Sequence, residues 1–237
     1  MTCYDTGTHE DHMSQAKAIE LGYTISTNPG IEADFQLPNG KTMKAVGSVS
    51  VNVQFARQVG SEEAPRTCRF NLFERLAPPV FIGMAFLQAT ETITKYTSRM
   101  VDIPTAWKRS LHLGALGSTT NQVACEIGGW ETFATADTGS DIALVSAEFA
   151  TKHGLRRDYG CEELQLADGS LEYTRGFVDF HVGVYTLKPS IANKRVLHLP
   201  QKNMGDLKYK IVRFHILENL QFDAILDEAT ADILSIF

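Results

Sequence analysis

One short pattern occurs twice in this chain, and it constrains the fold more than any other feature. Ala136-Asp137-Thr138-Gly139-Ser140 is echoed by Tyr4-Asp5-Thr6-Gly7-Thr8, 132 positions earlier, and at the same spacing Ser14 matches Ser146, Ala18 matches Ala150 and Gly22 matches Gly154. Further along, Gln36-Leu37-Pro38-Asn39-Gly40 matches Gln165-Leu166-Ala167-Asp168-Gly169. Phe70-Asn71-Leu72-Phe73-Glu74-Arg75-Leu76 then matches Phe214-His215-Ile216-Leu217-Glu218-Asn219-Leu220. Three matches in one order, separated by insertions, describe a single unit used twice.

Each copy places one aspartate in the same setting. Asp-Thr-Gly reads as a strand end that turns sharply, because glycine permits close approach of another main chain. The glycine N–H and the next hydroxyl (Thr8, Ser140) are expected to donate to the carboxylate. Two such loops facing each other across a pseudo-twofold bring two carboxylates together. Like charges at close range cannot both ionise easily, so such a pair shares a proton.

Both copies resemble retropepsin-like (retroviral-type) aspartic protease domains. In the second copy, Val123-Ala124-Cys125-Glu126-Ile127-Gly128-Gly129 resembles the first hairpin of that family, and Phe133-Ala134-Thr135-Ala136 its strand into Asp-Thr-Gly. In the first copy, Val80-Phe81-Ile82-Gly83-Met84-Ala85-Phe86-Leu87 resembles the closing glycine-helix signature. The resemblance implies an all-β fold with short helices: two retropepsin-like acid-protease barrels forming a single-chain pseudodimer. It divides the chain into copy 1 at 1–97, a linker at 98–120 and copy 2 at 121–237. The first copy departs from the pattern, since Asp5 has no counterpart of the hairpin that precedes Asp137. Either its sequence is incomplete or another segment supplies that strand.

The composition is that of a globular chain, with 43% hydrophobic and 21% charged residues in 237. A net charge of −6 without a Lys/Arg cluster argues against nucleic acid as a partner. No apolar run reaches membrane-spanning length. Four scattered cysteines form no C-x-x-C pair, and with no leader at Met1-Thr2-Cys3-Tyr4 a reduced, cytoplasmic setting is expected.

Smaller features complete the reading. His9-Glu10-Asp11-His12 has two histidines at i and i+3, but no third ligand is signalled, and a solvated loop is preferred to a metal site. Ser14 and Ser146 read as N-caps of helices over 15–21 and 147–153, which Gly22 and Gly154 stop. Asn39-Gly40 and Asp168-Gly169 read as hairpin tips, with both turn residues at positive φ in the Asn-Gly case. By position they are the candidate flaps of the family. Thr90–Tyr96 reads as a β-branched strand. The linker, with Pro104, Trp107, Leu111, Leu113, Gly114 and Gly117, is expected to tolerate cleavage or insertion over 114–120. An insertion over 188–206, with Lys194, Arg195 and Lys202, reads as a basic surface loop. Asp227 stands where copy 1 has Gly83, which puts the approach of the closing strand in question, whereas Asp232 reads as a helix surface residue.

Function follows from the resemblance. It implies an aspartic endopeptidase in which Asp5 and Asp137 activate a water, acting on a peptide or protein substrate. Thr6 and Thr138 would bond across the lobes, and Gly7, Gly139, Thr8 and Ser140 would orient the carboxylates. The family pattern requires no cofactor and no metal, and implies a monomer with two pseudosymmetric lobes and no membrane partner. The alternative is an inactive retropepsin-like scaffold serving as a protein-binding or assembly module. A carboxylate-pair glycosidase ranks third, because nothing in the sequence resembles a sugar-binding cleft.

Overall fold

The computed structural model describes residues 3–27, 34–55, 64–100, 111–117, 122–185 and 209–236. Pro104, Trp107 and the basic run at 188–206 lie outside them. The first copy runs β1 (Cys3–Asp5), β2 (Asp11–Ser14), α1 (Gln15–Glu20), β3 (Asp34–Gln36), β4 (Thr42–Lys44), β5 (Gly47–Val53), β6 (Arg66–Phe73), β7 (Val80–Gly83) and α2 (Met84–Ala89). After β8 (Leu111–Leu113), the second copy runs β9 (Gln122–Ile127), β10 (Trp130–Ala136), β11 (Leu144–Ser146), α3 (Ala147–Lys152) and β12 (Glu163–Leu166). It continues with β13 (Leu171–Tyr173), β14 (Phe177–Val184), β15 (Lys210–Leu217), β16 (Ala224–Leu226) and α4 (Glu228–Ile233). The chain is therefore mostly β, with four short α-helices among the described residues, none long and apolar enough to cross a membrane.

The two copies share a strand order and differ in closure. In the second, β10-β16-β11-β15-β14-β9 close into a six-stranded barrel, β9 pairing with both β10 and β14. In the first, β1-β7-β2-β6-β5 repeat that order as an open sheet of five strands. The expectation of two barrels is corrected accordingly: among the described residues of copy 1 nothing takes the place of β9, so β1 and β5 remain edges.

Local chemistry recurs with the topology. Ser14 accepts a hydrogen bond from the Lys17 N–H at 3.2 Å, and Ser146 from the Phe149 N–H at 3.0 Å, so each caps a six-residue helix. Gly22 and Gly154 sit at φ +74° and +63° just past the helices, where only glycine is unstrained. The hairpin tips also match, with Gly40 N–H donating to Leu37 C=O and Gly169 N–H to Leu166 C=O, both at 2.9 Å. Only the glycines take positive φ, +83° and +81°. The Asn39-Gly40 expectation of two positive angles is thus corrected. With Pro38 at φ near −65° and Asn39 not at positive φ, the turn is of type I and ends in Gly40.

The expected strand at Thr90–Tyr96 is absent. Thr90 Oγ1 donates back to the Phe86 carbonyl at 2.8 Å and meets Thr92 Oγ1 at 2.7 Å, while Glu91 adopts φ +51°. Threonine hydroxyls that bond the preceding helical turn compete with the sheet ladder.

The segment expected to be a linker bears on function. Leu111–Leu113 is not a free connector but a strand, pairing in parallel with β12 as Leu111↔Leu164, His112↔Gln165 and Leu113↔Leu166. Its continuation is buried too, with Ala115 at 1% and Leu116 at 2% exposure. Leu113 and Leu116 join a core cluster that includes Phe35, Leu37 and Phe81 of copy 1 and Leu144, Leu164 and Ile225 of copy 2. Insertion at 114–116 is therefore expected to be damaging.

Candidate active site

Asp5 ends β1 and Asp137 follows β10, each strand paired in parallel with the closing strand of its own copy. The following Thr-Gly turns bend the chain so that both carboxyls lie inside the protein, fully buried. Gly7 N–H donates to Asp5 Oδ1 at 2.7 Å, and Gly139 N–H to Asp137 Oδ1 at 2.8 Å. Neither loop could be built with a larger residue. A Cβ on Gly7 would lie 2.5 Å from Asp137 Cγ, and one on Gly139 would lie 2.8 Å from Asp5 Cγ. Each glycine thus admits the carboxyl of the other copy.

The threonines interlock beneath the pair. Thr6 N–H donates to Thr138 Oγ1 at 3.0 Å, and Thr138 N–H to Thr6 Oγ1 at 2.9 Å. Thr6 Oγ1 also donates to the Ala136 carbonyl at 3.0 Å. The hydroxyls expected to reach the carboxylates are directed elsewhere. Thr8 Oγ1 donates to the Leu116 carbonyl at 2.8 Å and Ser140 Oγ to the Ile142 carbonyl at 2.8 Å.

Burial raises both carboxyls above the usual range, because a charge deprived of water is disfavoured. For Asp5, Asp137 beside it adds repulsion, against which the Gly7 and Thr8 N–H groups work. Asp137 is drawn back by its hydrogen bond to Asp5 and by the N–H groups of Gly139, Ala115 and Gly7. Asp5 Oδ2 is buried with no hydrogen-bond donor on it, a position that a proton held between the two carboxyls would satisfy. Such a pair can give a proton to one reacting atom while taking one from another. No group of three or more His, Cys, Asp or Glu side chains among the described residues is arranged to hold a metal ion.

The continuation of β8 crosses directly over the carboxyls. Ala115 N–H donates to Asp137 Oδ2 at 3.2 Å, and a Cβ on Gly114 would lie 2.6 Å from Asp5 Oδ2. On one flank, His112 N–H donates to Asp141 Oδ2 at 2.8 Å and Asp141 N–H to the His112 carbonyl at 3.0 Å. On the other, Gly117 N–H donates to the Gln36 carbonyl at 2.9 Å.

The two hairpin tips close over this strand and rest on the opposite copy. Gln221 N–H donates to the Pro38 carbonyl and Ala77 N–H to the Ala167 carbonyl, both at 2.8 Å, and the four residues occupy matching places in the duplication. Asn39 Nδ2 reaches Glu172 Oε1 at 2.6 Å, which ties one hairpin to the other. Gly40 packs near Gln221. Asp168 stays within its own turn, accepting from the Ser170 N–H at 2.8 Å.

Two residues take places that the sequence did not reveal. His12 belongs to β2 and is fully buried, not part of a solvated loop. Its Nε2 lies 2.9 Å from Thr8 Oγ1, and its ring packs edge-on against Phe35 and Phe73. Burial pushes its pKa down to about 3, so the ring is neutral. Asp227 caps α4, accepting from the Thr230 N–H at 3.1 Å at an ordinary φ of −70°. The Asp137 N–H still reaches the Leu226 carbonyl at 2.9 Å, so the aspartate leaves the closing strand in place. Asp232 lies on the exposed face of α4.

A comparison with models of known protein families finds no match, and neither does a comparison with curated proteins.

Proposed function

We propose that this chain is an aspartic endopeptidase of the retropepsin-like type, built as a single-chain pseudodimer whose pseudo-twofold passes between Asp5 and Asp137. The observation that carries this reading is the reciprocal fit of the two loops. Each carboxyl sits against the glycine of the other copy, and each threonine bonds the other. A chance Asp-Thr-Gly turn has no reason to meet a second one in that way.

In the proposed mechanism a water lies between the carboxyls and attacks the carbonyl carbon of a bound peptide. One carboxyl of the pair, carrying the charge, takes a proton from the water as general base. The other, protonated, donates a hydrogen bond to the carbonyl oxygen as charge develops there. The tetrahedral intermediate then collapses, the C–N bond breaks, and the proton passes to the departing amine. Products are a carboxylate and an amine, and no cofactor enters.

The second reading is a scaffold that binds peptides without cutting them. The open sheet of copy 1 and the strand lying across the carboxyls favour it. Wild type and Asp137→Asn assayed on a diverse peptide library from about pH 3 to 8, the span over which a carboxylate pair titrates, separate the two readings. Cleavage by wild type alone supports the peptidase. A folded wild type inert at every pH leaves the scaffold.

A further inference from the structure

We propose that residues 111–117 are a tethered peptide ligand: the strand lies in the peptide channel of the protein and defines what that channel accepts. This inference rests on the reading of the cleft as a peptide site. The bonding pattern of the strand supports it. Both catalytic-type loops bond it from one side, through Thr8, Asp137 and Asp141. Both hairpins bond it from the other, through Gln36 and the ladder of β12. An extended segment held by main-chain bonds on both sides, with its side chains in pockets, is how peptides are recognised by strand addition.

The register specifies the ligand class. Gly114 and Ala115 span the carboxyl pair, where a Cβ at position 114 would collide with Asp5 Oδ2 and come within 3.1 Å of Gly139 Cα. The channel therefore takes a residue without a side chain over Asp5. Leu113 and Leu116, one on each side of that pair, are buried to 0% and 2% exposure in the apolar cluster shared by both copies. The accepted ligand is an extended apolar peptide of the form Leu-Gly-Ala-Leu, with an imidazole or other hydrogen-bonding group at the 112 position facing Asp141.

The tether also regulates access. A covalently attached ligand acts at an effective concentration on the order of millimolar, so a free peptide competes poorly until the strand withdraws. An open state populated a tenth of the time weakens apparent affinity about tenfold.

The test uses the full chain and a labelled peptide, Leu-His-Leu-Gly-Ala-Leu-Gly, with its Gly–Ala amide reduced so that it cannot be cut. Binding is measured by anisotropy in wild type, in Gly114→Val and in Leu113→Asp/Leu116→Asp, while amide exchange reports whether 111–117 has left the channel. The expected result is affinity about tenfold or more tighter in the variants, together with lost protection at the 112, 115 and 117 amides. Equal affinity despite lost protection overturns the proposal, as does retained protection in both variants, which would mark the strand as permanent core. Excess free peptide added to wild type provides an arm that needs no variant. It should speed exchange of those three amides, and unchanged exchange at saturating peptide overturns the proposal. Failure of the peptidase reading is separable. A chain that binds but never cuts loses only that reading, and one that cuts peptides equally well with and without Gly114→Val loses only this one.

Discussion

Thr6 and Thr138 each donate a backbone N–H to the side-chain oxygen of the other, at 3.0 and 2.9 Å. No other pair in the described structure joins the two copies so symmetrically at the level of single atoms and so close to the carboxyls. Valine has nearly the shape of threonine but no oxygen to accept, so Thr138→Val removes the acceptor of the Thr6 N–H bond. Losing a hydrogen bond of this kind costs about 0.5–1.5 kcal/mol, and urea unfolding should show that loss. Thr6→Val should cost more, because Thr6 Oγ1 also holds the Ala136 carbonyl. Thr138→Ser, which keeps the acceptor, should stay close to wild type, and equal losses for Ser and Val would show that the bond carries no stability.

Gly83 and Asp227 occupy equivalent positions and should differ in how much a substitution costs. A Cβ on Gly83 would lie 2.3 Å from the Glu10 carbonyl oxygen, a backbone atom that cannot swing aside. Gly83→Ala is therefore expected to cost about 1–3 kcal/mol or more through forced backbone shifts. Asp227→Ala removes only the helix cap, at about 1 kcal/mol, and Asp227→Gly only a few tenths. Thermal unfolding of the three variants gives the order. A milder effect for Gly83→Ala than for Asp227→Ala would contradict this account.

What the sequence disclosed and what it concealed divide along physical lines. The Asp-Thr-Gly loops, the Ser14 and Ser146 caps and the hairpin turns depend on local chemistry, where one side chain satisfies a neighbouring backbone group. Such features are legible residue by residue. The strand at Leu111–Leu113 was hidden because it is three residues long and followed by glycine, which gives it the composition of a connector. Pairing with β12 makes it extended, and both copies bury it; neither is a property of its own sequence. His12 was hidden for a related reason. Its neighbours His9, Glu10 and Asp11 are polar and the first two are exposed, yet Asp11 accepts from the Gly83 N–H, so the strand begins inside this polar run and carries His12 into the core.

The buried neutral His12 should make stability depend on pH. Its folded pKa, about 3, lies below that of an exposed histidine near 6.5, so between those values the unfolded chain binds the extra proton. This group thus withdraws stability as pH falls from about 6.5 toward 3. His12→Phe keeps a ring against Phe35 and Phe73 and removes the titration. Urea midpoints for the variant should fall less steeply across that window than those of wild type. Parallel slopes would mean that His12 is already charged or exposed in the native state.

The last prediction concerns the carboxyl pair itself, and its sign is opposite to that of His12. Burial and the neighbouring Asp137 raise the folded pKa of Asp5 well above 3.8. Below that ordinary value both folded and unfolded chains hold the proton, and Asp5 contributes no penalty. As pH rises above it, the unfolded chain releases its proton freely while the folded chain cannot, so the native state loses ground until the folded pKa is passed. Asparagine is nearly isosteric and has no proton to lose. Asp5→Asn should therefore be more stable than wild type above about pH 4, by a margin that grows with pH through the interval in which the pair titrates. The same substitution should abolish peptide cleavage, since an amide cannot share the proton of the pair. Wild-type turnover should be bell-shaped in pH, with two limbs that belong to the pair and not to either residue alone. Stability and turnover measured together across pH give the check. A pair placed for chemistry at the expense of folding should gain stability when it is disarmed. An Asp5→Asn variant whose stability runs parallel to wild type at every pH would show that the two carboxyls do not share a buried proton.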